Sequence, residues 1–213
     1  MSLSKPFEVK IWTSSHGTDY HYFPSNLQKA FNENENEKKN NLIQFPHVNA
    51  IPGRQTKDKF VSEFQHDFNN ISQHERRINI FMLGDNDIRC NDHVGACRIE
   101  RNVGKLIELH KNSQHILVVC GLLPSPVTWN YNETLFNRVS NRLQSQVEIA
   151  NTNSKERRFA FLKLMHIFQD DEGLIDDDKF FEKDKTHLNH LGACQLAKHL
   201  IDNIVAIAET FSK

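Results

Sequence analysis

The sequence predicts an α/β protein, a three-layer α/β/α sandwich built on a five-stranded, mostly parallel sheet. Five short strand-like runs alternate with segments of helical periodicity, which is the pattern of βαβ units. Two of the runs, Ile78 to Leu83 and Ile116 to Cys120, are apolar almost throughout, as suits strands covered by helices on both faces. At 213 residues the chain is long enough for one well-buried core, so residues 1–213 are read as a single domain.

The first run, Phe7-Glu8-Val9-Lys10-Ile11-Trp12, alternates in character and ends at Thr13-Ser14-Ser15-His16-Gly17. Tyr20 to Phe31 reads as the first helix, with Pro24 constraining where it begins. Asn32 to Asn40 is polar low complexity, expected to be an exposed connection. The second strand is read from Asn41 to Phe45, continuing through His47 to Ala50 and ending at Pro52-Gly53. Phe60, Phe64, Phe68 and Ile71 then mark a one-faced helix. The third run stops at Gly84-Asp85-Asn86-Asp87, and Ile99, Val103, Leu106 and His110 define the next helix. The fourth run stops at Gly121 and Pro124; Leu135, Val139, Leu143 and Val147 follow at helical spacing. Phe159 to Met165 is the fifth run. The acidic stretches Asp170 to Glu172 and Asp176 to Asp178 read as solvated loop, and a last helix carries Leu196, Leu200 and Ile204 beside Ala197, Ile201, Val205 and Ala208.

Composition excludes several classes. Lys plus Arg is 26 against 27 for Asp plus Glu, a net charge of −1, so no global basic excess points to nucleic acid. Met1 to Pro6 lacks the apolar core of a secretory signal, no apolar run reaches membrane-spanning length, and the expected location is the cytoplasm. Cys90, Cys97, Cys120 and Cys194 are irregularly spaced and read as reduced thiols. Cys90 and His93 with Cys97 offer no fourth ligand at standard spacing, so neither metal nor other cofactor is expected.

In a parallel sheet the strand C-termini share one edge, and sites form in the crevice there. Thr13 to Gly17, Pro52-Gly53 and Gly84 to Asp87 follow strands, and Asp184-Lys185-Thr186-His187-Leu188-Asn189 precedes the last helix; all four should open on that rim. Asp184 and His187 stand three residues apart, so a proton acceptor and the group that orients it fall within one turn.

These blocks resemble the SGNH, or GDSL-type, hydrolase superfamily, over roughly Val9 to Gly192. Gly84-Asp85-Asn86-Asp87 is similar to the family's Gly-x-Asn-Asp block, Asp184 to His187 to its Asp-x-x-His block, and Gly53 falls where its second-block glycine belongs. The first block departs: Thr13-Ser14-Ser15 stands in place of Gly-Asp-Ser. Aligning His16-Gly17 makes Ser15 the serine; Ser14 is the other candidate nucleophile. Thr13 replaces a glycine that permits a tight turn, and Ser14 replaces an aspartate that helps hold the loop.

The resemblance implies a flavodoxin-like strand order, 2-1-3-4-5, and a serine esterase acting on a small ester. Ser15 would be the nucleophile, His187 the base and Asp184 its orienting carboxylate. The oxyanion would be held by the backbone N–H groups of Ser15 and Gly53 and by the Asn86 amide. Arg54 and Arg89, beside these blocks, are candidate contacts for an anionic substrate. Gly121 to Pro126 is expected to wall the pocket, and with only Trp12 and Trp129 no carbohydrate platform is visible. Singly, each residue has a plainer reading: Gly53 and Asn86 as turn residues, Asp87 as a brace of its own loop, Asp184 as a helix N-cap.

The rival expectation is a catalytically silent binding domain on the same scaffold. It would bind RNA as the C-terminal domain of the germ-plasm organiser Oskar does, through a cluster drawn from Lys57, Lys59, Arg76, Arg77, Arg98, Arg101, Lys105, Arg157 and Arg158. A flavodoxin-like nucleotide binder is disfavoured because Thr13 to Gly17 offers a single glycine for phosphate. Oligomeric state is not legible in these residues.

Overall fold

The computed structural model describes residues 5–18, 22–34, 39–72, 74–88, 93–154 and 158–212. Strand β1 (Glu8–Thr13) leads through a 3-10 turn, Ser15–Gly17, to helix α1 (Phe23–Glu33) and a short helix α2 (Lys39–Leu42). Then come β2 (His47–Ala50), α3 (Asp58–Asn69), β3 (Arg77–Met82), α4 (His93–His110), β4 (Ile116–Cys120) and α5 (Pro126–Asn153). Strand β5 (Phe159–Leu162), the short helix α6 (Asp177–Phe180) and α7 (His190–Thr210) complete the order. The five strands form one sheet in the order β2-β1-β3-β4-β5, every described pair parallel.

Strand alternation sorts the core into two layers. Ile11, Ile78, Ile80, Ile116 and Val118 pack with Phe23 and Leu27 of α1 and with Leu196, Leu200 and Ile204 of α7. Trp12, Phe81, Leu117 and Val119 face the other way, against Phe60 and Phe64 of α3, Ile99 and Val103 of α4 and Val139 and Leu143 of α5. The three-layer sandwich and the strand order are those expected. Among the described residues no helix is long and apolar enough to cross a membrane.

The first helix spans Phe23–Glu33, and the second and fifth strands are bounded differently from the sequence reading. Asn41 and Leu42 lie in α2, and only Ile43 bridges to Phe7 before β2 opens at His47. Pro46 has no N–H for a ladder, and it separates that bridge from the true strand. The fifth strand ends at Leu162, where the chain turns into a 3-10 helix, Met165–Phe168, instead of running to Met165.

The second layer holds a fully buried histidine. His110 is fully buried; its Nδ1–H donates to Leu106 O at 2.7 Å and its Nε2 accepts from Asn79 Nδ2 at 3.1 Å. Burial pushes its pKa down to about 4, against the upward pull of the Leu106 bond. The unfolded chain therefore takes up this proton first. The contribution of His110 to stability is complete above about pH 6.5 and is lost as pH falls towards 4. Urea unfolding at pH 7 and pH 4 should show about 3 kcal/mol of that loss, and His110→Gln should lose correspondingly less across the same window. Equal pH slopes in the two proteins would refute the assignment.

Candidate active site

The first loop explains how a Thr-Ser-Ser sequence turns tightly. Thr13 is buried at the end of β1, paired with Ala50 on one side and Met82 on the other. Ser14 is extended, and the 3-10 turn after it is closed by Gly17 N donating to Ser14 O and Thr18 N donating to Ser15 O, both at 3.1 Å. A Cβ at position 17 would collide with the γ-methyl of Thr13 and stand 3.2 Å from the Ala50 Cβ. The glycine missing from position 13 is thus matched by one at position 17, whose empty side receives the Thr13 methyl. The two hydroxyls then diverge. Ser14 Oγ faces Asp85, 3.4 Å from each carboxylate oxygen, while Ser15 Oγ lies 3.1 Å from His187 Nε2.

The opposite wall is a narrow turn between α6 and α7. It is tied by the Phe181–Leu188 bridge and by Glu182 N donating to His187 O at 2.8 Å. Lys185 adopts φ 52°, uncommon for a residue with a side chain, and its ammonium pairs with Asp177 at 3.1 Å and Asp178 at 2.5 Å. The second acidic run is therefore more than solvated loop: Asp176 caps α6, and its two neighbours anchor the turn that carries His187.

Asp184 Oδ1 accepts from Thr186 N at 2.9 Å and His187 N at 3.0 Å, and Oδ2 lies 2.6 Å from His187 Nδ1. Burial raises the pKa of this carboxyl, but those three bonds outweigh it and hold it at about 2. An ionised Asp184 makes Nδ1 the protonated ring nitrogen, so in the neutral ring Nε2 presents its lone pair to Ser15. Asp184 is not the cap of the last helix. Asn189 is, its side chain accepting from Gly192 N at 2.9 Å.

Gly53 occupies an exposed turn closed by Arg54 N donating to Ile51 O at 3.1 Å. Pro at its second position and Gly at its third, with φ 66°, are what a type II turn requires. Asn86, buried in the 3-10 turn Asp85–Asp87, is joined to that turn by its Nδ2 donating to Arg54 O at 3.3 Å. Gln55 Nε2 completes the link by donating to Asn86 O at 2.9 Å. One hydrogen of the Asn86 amide remains for a ligand. Asp87 braces these loops: it accepts from Thr56 N at 2.8 Å, Thr56 Oγ1 at 3.0 Å and Arg98 Nε at 2.8 Å. Burial raises its pKa, opposed by those same donors.

Arg54 is not an open cation on the rim. Its side chain is 5% exposed, donates to Asn49 O and Oδ1 at 3.0 and 2.9 Å, pairs with Glu63 at 3.3 Å and lies over Trp12. A guanidinium beside two aromatic rings and a carboxylate gains more by folding inward than by reaching towards a ligand in water. Arg89 lies outside the described residues, as do Cys90 and Arg157.

Ser15, His187 and Asp184 thus come into contact, and Gly53 and Asn86 share a linked pair of loops at the ends of β2 and β3, the strands flanking β1. Sequence reasoning passed over Asp85, Thr56, Gln55 and Tyr22, whose ring meets His190 edge-on at 5.6 Å. Of these only Asp85 carried a signal, as an acid inside the Gly84 to Asp87 block.

The sequence matches no protein-family model and no curated protein. Solved structures do match in fold. A family 3 carbohydrate esterase from Clostridium thermocellum aligns with a TM-score of 0.67 at 14% identity, over 98% of this chain and 100% of that one. A lipase/acylhydrolase from Enterococcus faecalis aligns with a TM-score of 0.67 at 11% identity, over 94% and 96%. A GDSL-like lipase from Bacteroides thetaiotaomicron aligns with a TM-score of 0.61 at 15% identity, over 94% and 88%. The chain has the fold of the SGNH/GDSL-type hydrolases.

Proposed function

We propose that this protein is a serine ester hydrolase in which Ser15, His187 and Asp184 act as a triad on a small ester. The reading rests on the 3.1 Å approach of Ser15 Oγ to His187 Nε2, across 172 residues of sequence. In the first half-reaction Ser15 Oγ attacks the ester carbonyl as its proton passes to His187 Nε2. Collapse of the tetrahedral intermediate breaks the bond to the alcohol, which leaves with the proton from His187. Water then attacks the acyl-serine, giving its proton to the same nitrogen, and the acid departs as Ser15 is reprotonated. Asp184 keeps the ring in the tautomer that accepts at Nε2 and stabilises the imidazolium. The oxyanion takes N–H bonds from Ser15, Gly53 and the free hydrogen of the Asn86 amide.

Of the cations named for the RNA-binding alternative, Lys57 and Lys59 are exposed, and several others are held by carboxylates. Arg77 pairs with Glu8 and Asp67, Arg98 with Asp87, and Arg101 and Lys105 with Asp58. A fluorophosphonate probe decides between the readings. It should label the wild type and Ser14→Ala and leave Ser15→Ala unlabelled. Labelling that survives Ser15→Ala would remove that residue as nucleophile, and a folded wild type that never labels would refute the hydrolase.

A further inference from the structure

A second cavity, of about 180 Å³, opens where β4 and β5 end, one strand beyond the Asn86 loop. Gly121 and Leu122 form the wall nearest the candidate active site; a Cβ at Gly84 would stand 2.6 Å from Leu122 Cδ2, so that leucine fills the space between the two. This is part of the segment expected to wall the pocket, and here polar side chains share the lining with apolar ones. Asn137, Asn141 and Gln144 recur at helical spacing on the face of α5 that lines the cavity, and Gln169 approaches from the other side. Phe161 and Met165 supply a half-buried apolar surface beneath them.

The amides of the lining keep both donors and acceptors free. Three of the four amides have spent a donor: Asn137 Nδ2 on Glu133 at 3.5 Å, Gln144 Nε2 on Glu148 at 2.8 Å and Gln169 Nε2 on Gly173 O at 2.6 Å. Among the described residues, none donates to the side-chain oxygen of any of the four. Each amide has two N–H hydrogens, so donors remain beside the four oxygens, and the cavity suits a ligand whose groups both donate and accept. Lys163 lines the cavity and is exposed, which disfavours a cation; a hydroxyl donates to the four amide oxygens and accepts from the remaining N–H groups, where a carboxylate bonds only the latter.

We propose that this cavity binds a neutral, hydroxyl-rich ligand of the size of a single pyranose ring, its hydroxyls donating to the Asn137, Asn141, Gln144 and Gln169 oxygens over the Phe161 ring. The site is separate from the ester-cleaving one and stands whether or not Ser15 is a nucleophile.

Methyl α-D-glucopyranoside, titrated into the full-length chain and followed by 1H–15N NMR, tests it, with sodium glucuronate in parallel. Saturable shifts are expected at Gly121, Leu122, Ser140 to Gln144 and Lys163 to Gln169, and they should persist in Ser15→Ala. Affinity should fall by about tenfold or more in the double variant Asn141→Leu/Gln144→Leu, the loss of two hydrogen bonds. The dispersion of the variant's own spectrum verifies its fold, and Lys163→Met should keep glucoside binding. Shifts that do not saturate, affinity undiminished in the double variant, or binding of glucuronate alone that vanishes in Lys163→Met would each overturn the proposal.

Discussion

His187→Ala should lower kcat/KM for a small ester such as p-nitrophenyl acetate by about 10⁴-fold, mainly through kcat. The imidazole is the group in contact with the Ser15 hydroxyl that can accept its proton. Asp184→Asn tests the next link. An asparagine can still accept from Thr186 N and His187 N, so the turn should keep its shape. Its amide N–H would, however, face Nδ1, drive the proton to Nε2 and leave no lone pair for Ser15. The expected loss is at least about 10²-fold, below that of His187→Ala, because a side chain 51% exposed lets water serve in part. Asp184→Ala should add a drop in Tm, since the turn loses three anchors. The depressed pKa fixes the direction with acidity: what Asp184 contributes to stability is present above its ordinary 3.8 and is lost as pH falls through about 2. If His187→Ala retains activity within about tenfold of wild type, the triad is wrong.

Most of what periodicity can carry was legible. The apolar runs at Ile78 and Ile116 mark central strands because both faces of each are covered, and the spacing of Phe60, Phe64 and Phe68 marks a helix because a single face of it is buried. The second strand was started too early because it is an edge. His47 is exposed and Val48, Asn49 and Ala50 are only half-buried, so the burial that writes a strand into sequence is missing there. Asp184 and His187 could be paired from sequence because three residues separate them. The contacts that give the other blocks their geometry join residues far apart or compensate for one another, and no local pattern encodes either. Ser14 meets Asp85, so the carboxylate absent from the first block is contributed by the third. Thr56 meets Asp87 at a distance of 31 residues, and Arg54, placed by sequence at the rim, is drawn inward by Trp12 and Phe60.

Gly17→Ala should damage both the loop and the activity, and Thr13→Ala should repair much of that damage. The new Cβ has no open direction, since the Thr13 methyl occupies its position and Ala50 stands 3.2 Å away. Overpacking of this kind costs about 1–3 kcal/mol. It acts where the strain can relax only by moving the Ser15–Gly17 turn, and a shift of about 1 Å in Ser15 Oγ costs about 10²-fold in rate. Thr13→Ala alone removes the γ-methyl and hydroxyl from a buried position and should cost about 1 kcal/mol. In the double variant the methyl that blocks the added Cβ is gone, so the two losses should fall short of their sum by about 1 kcal/mol or more, with kcat/KM recovering in step. Denaturant unfolding and ester turnover measured on the four proteins close the cycle. Strictly additive losses would mean that Thr13 and Gly17 do not compensate, and that a tight turn after β1 tolerates threonine for a reason other than the glycine four residues later.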